Sequence, residues 1–442
     1  MVDPQFARRA LDPPPQTPDR VIGASRLFER PDRPPVPEGA VAIVGGRVAW
    51  AGPRAALPED YRQLPETRHP GGTILPGLIE THAHLGSATR TFVPQVPDPA
   101  LHDQAWQALF SVTTARQLAS VGVTTVQSLG ALQYSDVALR EAIRGGQLAG
   151  PRIVAAGPQL TTTGGHSWIN GGEVDSVDDI RRAVRLHHKA GTDLVKVMAT
   201  GGFMTAASLP WNPQFTTAEL RVMVDEAHRL GKHTAAHAHG TEGIRRAVDA
   251  HIDYLAHASF VDADGRTRFD PRLADRIAEQ GIFVDTCSPP SWPPVPGETL
   301  TPRALELYQH GVGLVTGHDI GAVLPPSGYT FGLRQLHASG IPRAEVLTAA
   351  TTRAAAAVGL EGVTGELVAG RSADLIVTDG DPLADLDALD HLLEIVIEGR
   401  SFAPDPVTAF DPARLGSPDA PGGPGEVRAR WNSRWRSRRA EG

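Results

Sequence analysis

Short apolar runs alternate with longer amphipathic stretches through the middle of the chain, and each pattern predicts one kind of element. Apolar runs of about four to eight residues are typical of strands, whereas apolar positions three and four apart are typical of helices. Eight strand-like runs end near residues 84, 129, 156, 199, 240, 258, 287 and 319. Strands that alternate with helices form parallel sheets, so the prediction is an α/β fold with a (β/α)8 TIM-like barrel over residues 76–361.

Capping residues mark several helix starts within this region. Residues 216–219, Thr-Thr-Ala-Glu, match a capping box, and Ser176 begins a helix-like stretch. Asp270 and Thr301 each precede a proline, which predicts an N-cap followed by proline at the first helical position.

Two flanking regions, residues 1–75 and 362–403, do not follow the alternation. Their strand-like runs lie at 40–44, 46–50, 373–378 and 394–398. Neither region is long enough to bury a core alone, so together they predict one small discontinuous β-sandwich. Residues 1–19 are expected to be flexible, and the proline-rich stretch 12–37 and the Pro/Arg-rich tail 404–442 are predicted to be poorly ordered.

Composition is typical of a globular chain with a large core. The chain has 442 residues, of which 41% are hydrophobic, and a net charge of −8. The acidic balance gives no reason to expect a nucleic-acid partner, and the single cysteine, Cys287, excludes an intramolecular disulfide framework. No signal-peptide core opens the chain, and no apolar run approaches the roughly 20 residues of a membrane helix. The predicted location is therefore the cytoplasm, without a membrane partner.

Lys196 is the first residue that points to chemistry. It lies in the apolar run Asp193-Leu-Val-Lys-Val-Met-Ala199 and is one of three lysines among 42 basic residues. Burying an ammonium in such a strand is costly, and lysine can lose its proton where arginine cannot. A neutral amine can add CO2 and become a carbamate, which is an anionic oxygen ligand. This interpretation requires metal ions nearby.

Other metal-ligand residue types follow strand-like runs along the chain. His82 and His84 are one residue apart, so alternation along a strand directs both side chains to one face. Alone, this pair is more often two polar residues at a strand end. The further candidates, each after a strand of its own, are His237, His257 and Asp319. With the carbamate they make six N/O ligands, enough for two divalent ions such as zinc.

The order of these residues resembles the amidohydrolase superfamily from about residue 20 to residue 399. The resemblance rests on Pro76-Gly-Leu-Ile-Glu-Thr-His-Ala-His84 after the first barrel strand and on Lys196, His237, His257 and Asp319 after the fourth, fifth, sixth and eighth. The segments 163–166, 196–202 and 237–240 are similar to an imidazolonepropionase-related branch, which includes metal-dependent Xaa-Pro dipeptidases and ochratoxin-type amidases. A small-molecule substrate and a homo-oligomer are further expectations.

The resemblance implies a hydrolytic mechanism without a protein nucleophile. Two metals would share a hydroxide, bridged by the carbamate of Lys196, and the hydroxide would attack a carbonyl carbon. Asp319 would act as general base and then as general acid towards the leaving group. Cys287 carries no mark of activation in the sequence and is interpreted as a packing residue.

Two further histidines are candidates for catalysis. His166 follows the third strand behind two glycines, so a role in orienting substrate or stabilising an oxyanion is about as well supported as a structural hydrogen bond. His239 shares a strand face with His237 and is a candidate substrate contact or partner of a metal ligand. The chain departs from the branch at Gln127-Ser128, at Phe215, where a tyrosine is common, and at His318, where threonine is common.

Aromatic residues concentrate in the loops expected to surround the site. Trp168, Phe203, Trp211, Phe215, Trp292 and Tyr329, together with His166 and His318, are the candidate substrate contacts. Rings that hold long loops together are an equally good interpretation. The functional interpretation is an aromatic-lined cleft for bulky apolar acyl compounds.

Three hypotheses about function remain open from the sequence. The first is hydrolysis of an amide or peptide-like C–N bond, as in N-acyl amino acids, dipeptides or cyclic amides. The second keeps the same centre but acts on an ester, lactone or carbamate. The third is a non-catalytic scaffold, and the complete set of ligand residues argues against it.

Overall fold

The protein is described by a computed structural model covering residues 18–86, 104–205, 208–287 and 302–412. The strands are β1 Arg20–Leu27, β2 Val36–Val44, β3 Arg47–Pro53, β4 Glu66–Pro76, β5 Leu78–Ala83, β6 Val123–Ser128, β7 Arg152–Ala155, β8 Leu194–Met198, β9 His233–Gly240, β10 Tyr254–Val261, β11 Phe283–Asp285, β12 Gly313–Leu314, β13 Leu375–Asp379, β14 Leu392–Ile397 and β15 Arg400–Ser401. The helices are α1 Gln104–Ser120, α2 Ser135–Arg144, α3 Val177–Ala190, α4 Thr217–Arg229, α5 Thr241–Asp249, α6 Pro271–Glu279, α7 Ala304–Gln309, α8 Tyr329–Ala338, α9 Arg343–Ala349 and α10 Thr352–Ala357.

Strands β5 to β12 form the predicted parallel barrel. They hydrogen-bond in chain order as a three-stranded sheet, β5-β6-β7, and a five-stranded sheet, β8 to β12, with every pairing parallel. Backbone bonds outside the named strands join the two sheets. The Leu160 amide donates to the Lys196 carbonyl at 2.8 Å, and the Thr81 amide donates to the Thr316 carbonyl at 3.0 Å. The ring of eight strands is thereby closed, which confirms the predicted fold class.

The helix caps follow the sequence signals closely, with one exception. Ser176 caps α3, the Thr216–Glu219 capping box is formed at α4, and Asp270 caps α6 with Pro271 at its start. The N-cap predicted at Thr301 is wrong, because α7 begins at Ala304 with Arg303 at the N-cap position. These caps satisfy backbone N–H groups that a helix leaves unpaired in its first turn.

The flanking regions combine into one β unit, as predicted. Their strands form a seven-stranded sheet in the order β15-β14-β13-β4-β1-β2-β3, so the N-terminal and C-terminal segments meet at the antiparallel β13–β4 pair. The edge strand β3 bonds back to the segment before β13, where the Val48 amide donates to the Arg371 carbonyl at 2.9 Å. The sheet therefore folds over itself and encloses a separate apolar core that includes Ile22, Val41 and Leu375.

The structure corrects the predicted disorder of two segments. Within the proline-rich stretch 12–37, residues 20–27 form β1. At the start of the tail, Asp405 pairs with Arg116 of α1 at 2.6 Å, and the ring of Phe410 lies 5.1 Å from that of Phe331 in α8. The remainder of the tail, residues 413–442, lies outside the described residues. In the described part of the chain, no helix has the length and apolar character needed to cross a membrane.

Candidate metal centre

All six predicted metal ligands are brought together at the carboxyl end of the barrel strands. His82 and His84 come at the end of β5, and Asp319 follows β12; the other three lie within β8, β9 and β10 and are Lys196, His237 and His257. Each of the six is buried, with 9% or less of its surface exposed. In a (β/α)8 barrel this end carries the chemistry, because the strand ends converge there and the loops that follow can vary.

Asp319 forms one cluster with the two histidines of β5. Its Oδ1 atom lies 3.3 Å from Nε2 of His84 and 3.5 Å from Nε2 of His82. Burial alone would raise the pKa of Asp319, but the neighbouring His82 and His84 outweigh it and hold that pKa well below its ordinary value. The carboxylate is therefore ionised across the physiological range.

A second cluster contains the histidines of β9 and β10. The ring centroid of His257 lies 4.6 Å from that of His237 and 4.3 Å from that of His239. Burial lowers the pKa of both His237 and His257 well below the ordinary value, and the neighbouring imidazoles lower it further. Neutral imidazoles carry a free lone pair, which is the form that binds a metal ion.

Lys196 is electrostatically coupled to both clusters. It is 1% exposed, and burial lowers its pKa to about 8, partly opposed by Asp285 and Asp319. Its positive charge lowers the pKa of Asp319 in the first cluster and of His237 in the second. A buried lysine with a lowered pKa is more often in the neutral amine form, and the carbamate hypothesis requires this form.

The residues present fit a pair of divalent ions. Among the described residues, the buried Oδ1 atom of Asp319 makes no hydrogen bond, which is costly for a carboxylate oxygen. Three groups of side chains have ligand atoms within 4.8 Å of one another: His82, His84 and Asp319; His237, His239 and His257; and His82, His257, Asp285 and Cys287. Imidazole nitrogen and carboxylate oxygen are the donors that zinc and similar ions prefer.

Backbone strain coincides with this cluster. His257 has a φ of +74° and Asp319 a φ of +53°, both in the left-handed region that non-glycine residues rarely adopt. Cys287, at the end of the seventh barrel strand, has a φ of +47°. Strained residues of this kind concentrate at functional sites, where surrounding structure maintains them.

Comparison with known proteins agrees with this geometry. The profile of the Amidohydrolase family matches residues 73–401. The chain belongs to the amidohydrolase family. Ochratoxinase of Aspergillus niger is 28% identical over 408 residues, covering 80% of this chain and 80% of that protein. Imidazolonepropionase of Cupriavidus metallidurans is 26% identical over 368 residues, covering 77% and 84%.

A solved structure extends the likeness to the whole fold. A Xaa-Pro dipeptidase with bound methionine in its active site superposes with a TM-score of 0.75 and 26% identity, over 87% of this chain and 99% of that one. The predicted superfamily is therefore confirmed, with relatives in the predicted branch. This amidohydrolase is a hydrolytic enzyme rather than a bare scaffold.

Two carboxylates of the amidohydrolase centre escaped the sequence analysis. Glu80 is fully buried, accepts the backbone amides of His82 and His318 at 2.7 and 2.9 Å, and pairs with Nδ1 of His318 at 2.8 Å. Asp285 is fully buried and lies 3.1 Å from Nδ1 of His82. Both follow the signal that singled out Lys196, a charged residue within an apolar strand run, which could have identified them.

Cys287 lies beside this centre instead of in a general packing position. It is buried, and its Sγ lies 2.8 Å from Oδ1 of Asp285 and 3.4 Å from Nδ1 of His82. Burial and the neighbouring Asp285 raise the pKa of the Cys287 thiol well above its ordinary value. A protonated thiol donates hydrogen bonds, which is consistent with the sequence interpretation that Cys287 is not a nucleophile.

His166 and His239 both border the second cluster. The ring of His166 lies 4.6 Å from that of His237, and its Nδ1 lies 3.0 Å from Oγ1 of Thr205. Gly202 allows this approach, because a Cβ atom there would lie 2.3 Å from Nε2 of His166. Nδ1 of His239 bonds Oγ of Ser259 at 2.9 Å. Burial lowers the pKa of His166 to about 4 and that of His239 to about 3, so both rings are neutral.

The predicted substrate contacts divide into two groups. Trp168 is 46% exposed on the loop after β7, and the ring of Phe203 lies edge-on to His239 at 4.8 Å. Trp211 is 9% exposed and packs with Phe203 and Val261. Trp292 lies outside the described residues.

Three other predicted contacts are corrected by the structure. Phe215 is 4% exposed and belongs to the main apolar core. Tyr329 is fully buried and its hydroxyl donates to the Ile79 carbonyl at 3.0 Å. His318 is held by Glu80, and its ring lies against Gly332 of α8. These rings sit in loops or at helix starts in the sequence, yet they pack inward because the barrel wall covers them.

A cavity of about 620 Å³ lies at the opposite end of the barrel. Its lining includes the first residues of β7 and β9, Arg152 and His233, and the residues just before β8 and β10, Asp193 and Asp253. This is the amino-terminal end of the strands, where conserved features of such barrels serve stability. The candidate metal centre is therefore separate from this cavity.

Proposed function

We propose that this enzyme hydrolyses an amide or peptide-like C–N bond of a small molecule at a centre of two divalent metal ions. The ligands are His82, His84, Lys196 as its carbamate, His237, His257 and Asp319. The observation that carries the proposal is that all six are buried at one end of the barrel, where an oxygen of Asp319 lacks a hydrogen bond among the described residues. Relatives named as a dipeptidase and an ochratoxinase support hydrolysis as the reaction.

When bound, the metal ions, for which zinc is our expectation, would activate a water molecule as nucleophile and polarise the carbonyl group of the substrate. Asp319 moves the proton. Its carboxylate is ionised, and its Oδ1 atom makes no hydrogen bond among the described residues, so it can accept a proton and pass it to the leaving nitrogen.

His166 and His239 orient the substrate in this proposal. Both are neutral and buried, and both have Nδ1 engaged, with Thr205 and Ser259 respectively. Fixed neutral imidazoles can donate or accept one hydrogen bond each at a carbonyl group without adding charge to the site.

The rim of the site favours an apolar acyl group. Trp168, Ile169 and Met204 expose between 43% and 46% of their surfaces. The two loops that carry them are joined where the Ser167 amide donates to Oγ1 of Thr205 at 2.9 Å. The stretches 161–174 and 199–220 contain no arginine or lysine to bind a substrate carboxylate. We infer a preference for bulky aromatic or aliphatic acyl compounds over small charged dipeptides.

A substrate comparison tests this proposal. Zinc-loaded enzyme is assayed with N-aroyl amino acids, small charged dipeptides, lactones and aryl esters, and kcat/KM is compared. We expect the aroyl amide to be preferred and Trp168→Ala to reduce that preference by about tenfold, the scale of one buried aromatic contact. Leu186→Ala is the matched control, because Leu186 is also 46% exposed but lies on α3.

Two outcomes would contradict the proposal. Turnover confined to lactones and esters would move the reaction to C–O bonds. A preference for the small charged dipeptide that Trp168→Ala leaves unchanged would remove the apolar rim from substrate recognition.

A further inference from the structure

Among the described carboxylates beside the candidate metal centre, Asp285 accepts the most hydrogen bonds. It ends β11 and is fully buried. Its Oδ2 lies 3.1 Å from Nδ1 of His82 and 2.7 Å from the hydroxyl of Tyr254. Its Oδ1 accepts from the thiol of Cys287 at 2.8 Å and from the Cys287 amide at 3.1 Å. Four donors from three barrel strands therefore hold both oxygens in place.

This arrangement determines which nitrogen of His82 is free. A carboxylate only accepts hydrogen bonds, so Nδ1 of His82 carries the proton and donates to Asp285. Nε2 then keeps its lone pair, and it is this atom that faces Oδ1 of Asp319 at 3.5 Å. The single contact with Asp285 therefore sets both the orientation of the His82 ring and its tautomer.

We propose that Asp285 is a positioning residue that fixes His82 as an Nε2 metal ligand. Tyr254 and Cys287 support this role because they donate hydrogen bonds to the Asp285 carboxylate. The inference rests on the proposed metal centre and deepens it, because it adds a residue outside the six ligands whose loss weakens metal binding. Partners of this kind typically contribute 10- to 100-fold in metal affinity.

Asp136 shows what a buried aspartate does when it is only structural. It is as fully buried as Asp285, but it accepts the backbone amides of Val137 and Gly157 at 2.9 Å each and contacts none of the six ligands. Asp136→Asn is therefore a matched control for the loss of a buried carboxylate in the same barrel.

The test measures metal affinity and not only activity. Wild type, Asp285→Asn and Asp136→Asn are stripped of metal, and their zinc Kd values are determined by competition with a chromogenic chelator. Melting temperatures of the metal-free proteins are recorded alongside. We expect Asp285→Asn to bind zinc at least tenfold more weakly, with Asp136→Asn within twofold of wild type.

A double-mutant cycle separates positioning from a general loss of structure. If Asp285 acts through His82, then Asp285→Asn weakens zinc binding much less in a His82→Ala background than in wild type. Equal effects in both backgrounds would overturn the proposal. So would an Asp285→Asn variant whose zinc Kd matches that of wild type.

Milder variants keep the proposal testable if Asp285→Asn does not fold. Tyr254→Phe and Cys287→Ala each remove one donor to the carboxylate, and the double variant is expected to weaken zinc binding several-fold. An unchanged Kd in that double variant would contradict the proposal. Failure of the wild type itself to bind two metals would instead refute the proposed function, so the two failures are distinguishable.

Discussion

The two ends of the barrel differ in how their charged groups are paired. At the amino-terminal end, the carboxylates that line the cavity are 38–43% exposed, and each has a side-chain partner: Asp193 with Arg140 at 2.6 Å, Asp253 with His228 at 2.8 Å, and Glu398 with Arg152 at 2.8 Å. At the carboxyl-terminal end, neutral imidazoles crowd together, and an oxygen of Asp319 lacks a hydrogen bond among the described residues. At the first end the cavity-lining carboxylates are paired as folded, although Nε of Arg152 makes no hydrogen bond within the described ranges, whereas at the other end metal-ligand atoms remain available.

This difference indicates where stability was given up for function. Partly exposed ion pairs add modestly to stability. Clustered imidazoles and a carboxylate oxygen without a hydrogen bond among the described residues disfavour the fold until a ligand offsets them. Function and stability thus reside at opposite ends of one set of strands, as in other barrels of this kind.

The largest expected difference between the two ends concerns their buried lysines. Lys196→Ala should abolish zinc binding and turnover together, because it removes the proposed bridging ligand, and a short carboxylic acid should restore part of the activity. Lys232→Ala is the control: Lys232 is 7% exposed, lines the opposite cavity and donates to the Thr192 carbonyl. Zinc content and kcat are the measurements. Full activity in Lys196→Ala would refute the bridging role.

The second-largest expected effect distinguishes Asp319 at the candidate metal centre from Asp253 at the opposite end of the barrel. Asp319→Asn keeps an oxygen near the centre but cannot accept a proton, so kcat should fall by about 10² or more. Metal content should fall much less. Asp253→Asn, which removes an acceptor of Thr234 and His228 at the other end, should leave kcat unchanged. A normal kcat in Asp319→Asn would exclude it from proton transfer.

The pH dependence of carbamate formation gives an effect of intermediate size. Burial lowers the pKa of Lys196 to about 8, and only the neutral amine adds CO2. The neutral fraction rises with pH, by about tenfold between pH 7 and pH 9 for such a pKa. At constant dissolved CO2, the rate at which the metal-free protein gains the 13C carbamate signal should rise by the same factor. A rate that does not change with pH would contradict this.

The smallest expected effect is that of a substitution at the amino-terminal end of the barrel, where the carboxylates are paired. Asp193 accepts from Arg140 and from the Ala155 amide, so Asp193→Asn should lower the free energy of unfolding by about 1 kcal/mol. Zinc Kd and kcat/KM should stay at wild-type values, as measured by urea titration and steady-state kinetics. A loss of zinc affinity in this variant would mean that the two ends are coupled rather than independent.

The sequence predicted the positions of the candidate ligands more successfully than the surroundings of the loop residues. Lys196, His82 and Asp319 could be placed because each follows an apolar strand run, and parallel strands deliver their ends to one edge. Glu80 and Asp285 were missed although they share that pattern, because their importance lies in contacts with partners 238 and 203 residues away in the chain. Such contacts have no local signal.

The aromatic residues also show what the sequence could not predict, namely which rings face the pocket and which pack into the core. Tyr329 and Phe215 lie next to loops in the chain, which suggested the pocket, but both rings pack into the core. Whether a ring beside a loop faces a cleft or the barrel wall depends on the neighbouring helix, not on its own sequence context. Trp168, in contrast, is 46% exposed, although His166 in the same loop is buried.

By itself, the sequence determined the alternation of strands and helices, the discontinuous β unit and the set of candidate ligand residues, because periodicity and chemical type are local properties of the chain. Only the tertiary structure decided how the ligands divide into two clusters, which carboxylates hold them, and which end of the barrel has its charges paired. These depend on distances between residues far apart in sequence. They are set when the strands close into a ring and burial removes water from the side chains at its two ends.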